Sequence, residues 1–504
     1  MKPLVLFPHD ALYIIPLATL VLGGVLLVLA EAFIKGTSRA FLMKLTVAVS
    51  AVAALASIFL IDKLQGQTLM LFSGMLVVDP TALVFVVLFS GATAFTAMIT
   101  APHQEEHGWE SGEYYGLLLL SAAGMAMLAM AGNLVTVFIG IETMSISVYV
   151  LVASRRRSRR SAEAAMKYFL MGAFATGFLL YGIALIYGAT GTTGIYTAHS
   201  PIGGPALQTG IVDLLDTSGR SPLFIAGVFF LIVAFGFKIA AIPFHMWAPD
   251  AYEGAPTPVT GFMAAAVKAA AFAAILRVFG DMLGGDILPH GSMGWGGILA
   301  FIAAITMTVG NIAALRQQNV KRMLAYSSIS HAGVVLVGVV ALGLGAADAR
   351  PAVVYYLIAY TVTTVGAFAV VSWIGSRERE RVLVEDWAGL GAVRPGVALA
   401  MTIFLLSLGG IPPTNGFVAK FVVFKAAMEA SDQHLLWLVV VGVLNSVLSI
   451  FYYLRIVMMM YFRDPLGELS ARRSAGVAFV LVVCALLVLW MGILPARWLG
   501  YAGG

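Results

Sequence analysis

The stretch "AFGFKIAAIPFHMWAPD", residues 234–250, sets Lys238 inside an apolar run and Pro243 five residues after it. In hydrocarbon an ammonium group is costly, and a proline interrupts a helix's own hydrogen bonds. The stretch is therefore either a kinked packing helix or a helix broken to open a polar pocket, and the rest of the chain bears on which.

Of 504 residues, 60% are hydrophobic and only 11% charged, with a mean hydropathy of +0.95. A soluble domain carries about a quarter charged residues, so the long apolar runs read as membrane spans. Backbone groups in lipid must be satisfied within their own segment, which makes those runs helices. Fourteen are expected, at about 11–31, 42–62, 79–101, 114–131, 133–153, 163–188, 222–247, 256–279, 294–315, 321–344, 351–375, 396–430, 434–460 and 475–493. The twelfth is too long for one straight helix, and its "GGIPPTNG" should break it. The N-terminal run lacks a small-residue cleavage pattern and reads as a retained first span. The fold class is an all-α polytopic membrane protein with a single membrane domain over 1–504.

Several function classes drop out. No Gly-rich nucleotide loop joins a strand to a helix, and the eight histidines are scattered, with no cluster of metal ligands. The one cysteine, Cys484, supports neither an intrachain disulfide nor an iron–sulfur site. No cofactor is expected in this chain. The net charge of +5 does not point to nucleic acid, because the basic residues divide by side of the membrane. Eighteen fall on one side: Lys35, Arg39, Lys44, the five arginines of "SRRRSRR" at 154–160, Arg316, Lys321, Arg322, Arg377, Arg379, Arg381, Arg394, Arg463, Arg472 and Arg473. Five fall on the other: Lys2, Lys63, Arg220, Arg350 and Arg497. The positive-inside rule then puts both termini outside the cytoplasm. The acidic loop "APHQEEHGWESGE" lies on the positive side, and acids weigh little in this rule. Lys167, Arg277, Lys425 and Arg455 lie near span ends, where long side chains snorkel to the interface. Lys238, Lys268 and Lys420 have no such escape.

Three N-terminal helices (1–113) precede two five-helix units, 114–280 and 293–459, and a last helix within 460–504. The fourth helix of each unit carries a proline interruption, at "KIAAIPFH" and "SLGGIPPTNG", with the two Ile-Pro steps 169 residues apart. Five is odd, so the second unit enters the membrane from the opposite side. Two inverted five-helix repeats, each with a broken helix, are the arrangement in which transporters place ion sites near the midplane. Proline also kinks ordinary packed membrane helices; two breaks in equivalent positions favour function.

One acid lies mid-span, Glu142 in "NLVTVFIGIETMSISVYVLV". With Lys238, Lys268 and Lys420 it forms a set spread over the fifth, seventh, eighth and twelfth spans. Any one of them can be a structural ion pair; four fit a proton path better. Burial weakens an amine's hold on its proton and a nearby carboxylate restores it. A lysine whose acid partner approaches and withdraws is thus a switchable carrier. Glu142 and Lys238 are expected to form that pair, with Lys268 receiving the proton and Lys420 passing it out. His245 at the first break and His331 in "YSSISHAGVV" are candidate relays, or equally packing histidines. Tyr149, Tyr360 and the "RIVMMMY" run read as interfacial or packing groups.

The stretch "KIAAIPFHMWAPDAYEGAPTPVTGFMAAAVKAAAFAAILRVF", 238–279, resembles the signature of the antiporter-like membrane subunits of respiratory complex I. "WAPDAYEGAPTPV" and "GIPPTNGFVAKF" at 410–421 place the resemblance nearest the N type, and it covers essentially the whole chain. The resemblance implies a proton path through Glu142, Lys238, Lys268 and Lys420, and a translocase subunit in a bacterial inner membrane. It implies that NAD, FMN, iron–sulfur clusters and quinone belong to partner subunits, with subunit M and the small subunits K and J as neighbours. The long lateral helix of L-type subunits is expected to be absent. Two other readings remain: a component of a sodium/proton antiporter or membrane-bound hydrogenase, and a passive scaffold in which the buried charges tolerate neutral substitution.

Overall fold

The computed structural model describes residues 10–33, 39–109, 113–198, 208–219, 221–284, 294–374, 380–430, 435–465 and 474–503. Lys2, Lys35, Arg220, Arg377, Arg379, Arg472 and Arg473, which enter the charge count, lie outside them. Among the described residues eleven helices are long and apolar enough to cross a membrane, and three shorter apolar ones, Glu113–Ala129, Pro222–Lys238 and Pro395–Gly409, fill the remaining expected places.

In chain order the elements are α1 (Ile15–Phe33), α2 (Arg39–Leu64), α3 (Pro80–His107), α4 (Glu113–Ala129), α5 (Leu134–Val152) and α6 (Arg159–Thr190). The seventh span is divided into α7 (Pro222–Lys238) and α8 (Trp247–Gly254), followed by α9 (Thr257–Met282), α10 (Trp295–Leu315), α11 (Val320–Gly343) and α12 (Ala349–Trp373). The twelfth span is divided into α13 (Pro395–Gly409) and α14 (Asn415–Glu429); α15 (Leu436–Phe462) and α16 (Ala475–Ile493) complete the bundle. The starts follow capping chemistry. Asp79 accepts from the Ala82 amide at 2.7 Å ahead of Pro80, and Asn133 accepts from the Val135 amide at 2.8 Å.

One small feature departs from the all-helical expectation. Leu69–Leu71 (β1) pairs antiparallel with Leu76–Val78 (β2), closed by Phe72, Ser73 and Gly74 at positive φ. A loop of this length satisfies its backbone locally, which hydropathy does not report.

The two halves run in opposite senses. α5 begins beside the β-ribbon, where Ala131 bridges Leu76, and ends next to Arg155. The equivalent α11 begins at the Arg155 end, where Lys321 and Arg155 both reach Glu380. α9, α11 and α12 are buried along nearly their whole length, whereas α1, α2 and α16 turn most of their surface outward. The core of the molecule is thus where the last helix of the first repeat meets the second and third helices of the second.

Arg277 corrects the expectation of a snorkelling side chain. It is buried, paired with Asp79 at 2.6 Å and Asp281 at 3.5 Å, and donates to the Ala129 carbonyl. A guanidinium with that many fixed acceptors is held inside rather than at the interface.

Candidate functional site

The first break follows from backbone geometry. α7 ends on Lys238 itself, Ala240 takes φ +57, the Ile242–Pro243 peptide is cis, and helix resumes at Trp247. The Lys238 amine is buried and donates to Ser145 Oγ at 2.8 Å, with the Tyr149 ring centroid 5.8 Å away. Ser145 lies three residues after Glu142 on the same face of α5. Glu142 accepts from Thr176 Oγ1 of α6 at 2.7 Å. Among the described residues no direct ion pair joins Glu142 to Lys238. Amine and carboxylate share one helix face and are held apart, each on a hydroxyl.

Lys268 sits on α9 immediately after a π-helical turn, Met263–Val267, the kind of local widening that often accompanies function. Its amine is buried and donates to the Ser328 carbonyl at 2.6 Å and to the Ser328 hydroxyl. One turn further along α11, His331 meets the Tyr356 hydroxyl through Nδ1 at 2.6 Å and the Tyr453 hydroxyl through Nε2 at 3.3 Å. Ser327 joins the same Tyr453 hydroxyl.

At the second break α13 ends on Gly409, Gly410 takes φ +81, and the Pro412–Pro413 peptide is cis. Lys420 turns back to donate to the carbonyls of Leu408 at 3.1 Å and Gly409 at 3.0 Å. Those are terminal carbonyls of a half-helix, the negative end of its dipole. A small cavity of about 10 Å³, the space of about one water molecule, is lined by His331, Lys420, Asn445, Ser449 and Tyr452 among others. His331 is thereby the group that links the surroundings of Lys268 to those of Lys420.

Of the six residues singled out from sequence, Glu142 with Lys238, and Lys268 with His331 and Lys420, come together in these two settings. His245 does not: no hydrogen bond or ion pair among the described residues joins it to the four charges. The hydroxyls of Ser145, Thr176, Tyr356 and Tyr453 escaped the sequence reading. Only Ser145 had a signal, its helical spacing from Glu142. Tyr149 and Tyr360 are packing groups, but at the site rather than the interface: Tyr149 lies beside Lys238, and Tyr360 lies 4.9 Å from the His331 ring.

Three potential metal ligands that lie apart in the sequence come together in the fold. On the positively charged face, His103 and His107 of α3 and Glu380 bring ligand atoms within 4.8 Å of one another. Glu380 is also paired with Arg155 at 2.6 Å and Lys321 at 3.5 Å. Burial alone would raise its carboxyl, but the charges of Lys321 and Arg155 outweigh that and hold it at about 2. Glu380 lies 273 residues beyond His107, a separation no local pattern spans.

Comparison with known proteins identifies the family. The family described as NADH:quinone oxidoreductase/Mrp antiporter, TM, matches residues 131–449. NADH-quinone oxidoreductase subunit N 1 of Sorangium cellulosum is 45% identical, covering 99% of this chain and 98% of that protein. Subunit N of Trichlorobacter lovleyi is 42% identical over 97% and 95%. A chain of respiratory complex I from Thermus thermophilus superposes with a TM-score of 0.78 at 33% identity, covering 97% of this chain and all of that one. A chain of the Mrp complex from Dietzia superposes at 0.83 with 21% identity, which shows the shared fold alone. The chain belongs to the subunit N family of NADH-quinone oxidoreductase, within the antiporter-like membrane subunits.

Proposed function

We propose that this chain carries protons through Glu142, Lys238, Lys268 and Lys420 as a subunit of a proton-pumping NADH:quinone oxidoreductase. The observation that carries this reading is a single one: three buried lysines and a half-buried glutamate each rest on a polar partner, with Lys238 and Lys420 at the two broken helices. In the observed arrangement Glu142 rests on Thr176 and Lys238 on Ser145. Approach of the carboxylate holds the proton on Lys238, and withdrawal releases it toward Lys268. His331 then relays between Ser328's surroundings and the Lys420 cavity, and Lys420 discharges from its seat on the α13 carbonyls. Moving one charge against 100 mV costs about 2.3 kcal/mol, which the driving partner must supply.

NAD, FMN, iron–sulfur clusters and quinone are assigned to partner subunits, and subunits M, K and J to the neighbouring positions in the membrane arm. The bacterial inner membrane is the setting the family implies, and the charge asymmetry between the two sides supports both termini lying outside the cytoplasm. The likeness to an Mrp chain keeps cation/proton antiport as the second reading; strict dependence of transport on sodium would favour it.

The test is Lys238→Ala in the assembled complex, with NADH-driven acidification of inverted vesicles as readout. The expected outcome is normal assembly with loss of this subunit's share of pumping. Unchanged proton yield per NADH would overturn the assignment.

A further inference from the structure

His103 and His107 occupy one face of the C-terminal end of α3, four residues apart, the helical spacing that lets two imidazoles share one ion. His103 is buried, and its Nδ1 is engaged by the Ser372 hydroxyl at 3.3 Å. Its Nε2 is fully buried with no hydrogen-bond partner among the described residues. That nitrogen faces Glu380 Oε1 at 3.7 Å. Tetrahedral zinc with bonds of about 2.0–2.2 Å sets its donor atoms about 3.3–3.6 Å apart, so the pair is already near ligand spacing. A half-buried His107, its ring 4.4 Å from that of His103, supplies the third donor.

We propose that His103, His107 and Glu380 form a binding site for a divalent transition metal of the zinc type, on the positively charged face of the protein and outside the proton path. Two imidazoles and one carboxylate suit zinc, and the Ser372 contact on Nδ1 is the outer hydrogen bond that fixes a ligating imidazole. The opposing charges name the competitor. Arg155 holds the same Glu380 oxygen at 2.6 Å, while Lys321 lies 3.5 Å from the other oxygen and also donates to the Ala255 carbonyl at 2.7 Å. Lys321 is buried and stays; Arg155 is part-exposed and free to swing away. Metal and Arg155 therefore exclude each other at Glu380 Oε1. Binding would release the loop between α5 and α6 from the segment that precedes α13. This inference stands or falls independently of the proton path.

The experiment uses the intact complex in lipid nanodiscs, with Zn²⁺ alone as the probe, equilibrium dialysis and metal quantification. Tetrahedral Co²⁺ absorption gives a second readout. Metal held by other subunits cancels between variants. The parent is expected to hold one equivalent that His103→Gln and His107→Gln each weaken by about tenfold or more. Arg155→Gln is expected to tighten it several-fold, an effect that an adventitious surface histidine pair would not share. Binding unchanged in the histidine variants, or indifferent to Arg155, overturns the proposal. Should His103→Gln fail to assemble, the half-buried His107→Gln decides it by the same two outcomes.

Discussion

At Lys238 the charge is conspicuous in the sequence, but what it does is set by Ser145. The amine's one hydrogen bond among the described residues goes to that hydroxyl, and a hydrogen bond to a charged group contributes about 1.5–3 kcal/mol. Ser145→Ala is expected to lose most of this subunit's share of the protons pumped per NADH, the loss expected of Lys238→Ala being the upper bound, with Ser145→Thr retaining most of it. An unchanged yield would show that the amine discharges elsewhere. The buried charges were legible because apolar surroundings make them stand out; their hydroxyl partners were not, because Ser and Thr are ordinary in membrane helices. Glu380 behaves differently, as a staple. Its carboxyl is held at about 2, below the ordinary range near 4.5. The stability this pairing contributes is therefore complete above the ordinary value and lost as pH falls through about 2 to 4.5. Glu380→Gln is expected to lower stability by about 3 kcal/mol at neutral pH, and the gap between variant and parent should close on acidification. Thermal unfolding of the purified complex across pH measures it, and a gap independent of pH would contradict the pairing.

The broken helices show where element-level reading succeeds and where it slips. Prolines at corresponding places announced both breaks. The match, however, is not between the two Ile-Pro steps. Ala240 donates to the Phe237 carbonyl as Gly410 does to Ser407, and Ala241 donates to Gly236 as Ile411 does to Leu406. The structural register is thus 170 residues, one more than the Ile-Pro spacing, because backbone hydrogen bonds rather than side-chain identities define the turn. Ala240 and Gly410 are then equivalents, both at positive φ. Alanine is accepted at the first break, yet the second has a further constraint. A Cβ on Gly410 would lie 2.9 Å from Lys420 Cδ, the stem of the amine that caps α13. Gly410→Ala is expected to cost about 1–2 kcal/mol of backbone strain and to displace Lys420, lowering proton yield. Ala240→Gly should leave pumping intact. Equal behaviour of the two variants in the vesicle assay would mean that the Lys420 contact does not matter.

Across the whole molecule, inversion decides how the charged groups are wired. The first break presents Lys238 at the end of the half-helix before it, while the second presents Lys420 on the half-helix after it. Between them lie Lys268 on α9 and His331 on α11, helices buried nearly throughout, so lipid offers no bypass. The membrane class, the span count and the opposed halves were all readable from hydropathy and an odd number of helices. The junction between halves was not, since it joins residues such as Lys268 and Ser328, 60 positions apart, by a contact no periodicity encodes. That junction makes a quantitative claim. If Lys268 and Lys420 serve one path through His331, they act in series, and removing either already stops the flow. Groups acting as a unit give strongly non-additive losses. Lys268→Ala, Lys420→Ala and the double variant are therefore expected to lose the same share of protons per NADH, and His331→Phe should fall in the same class. Parallel routes predict instead that the double variant loses about the sum of the two singles, so the ratio of proton yield to NADH oxidised in vesicles separates the two wirings directly.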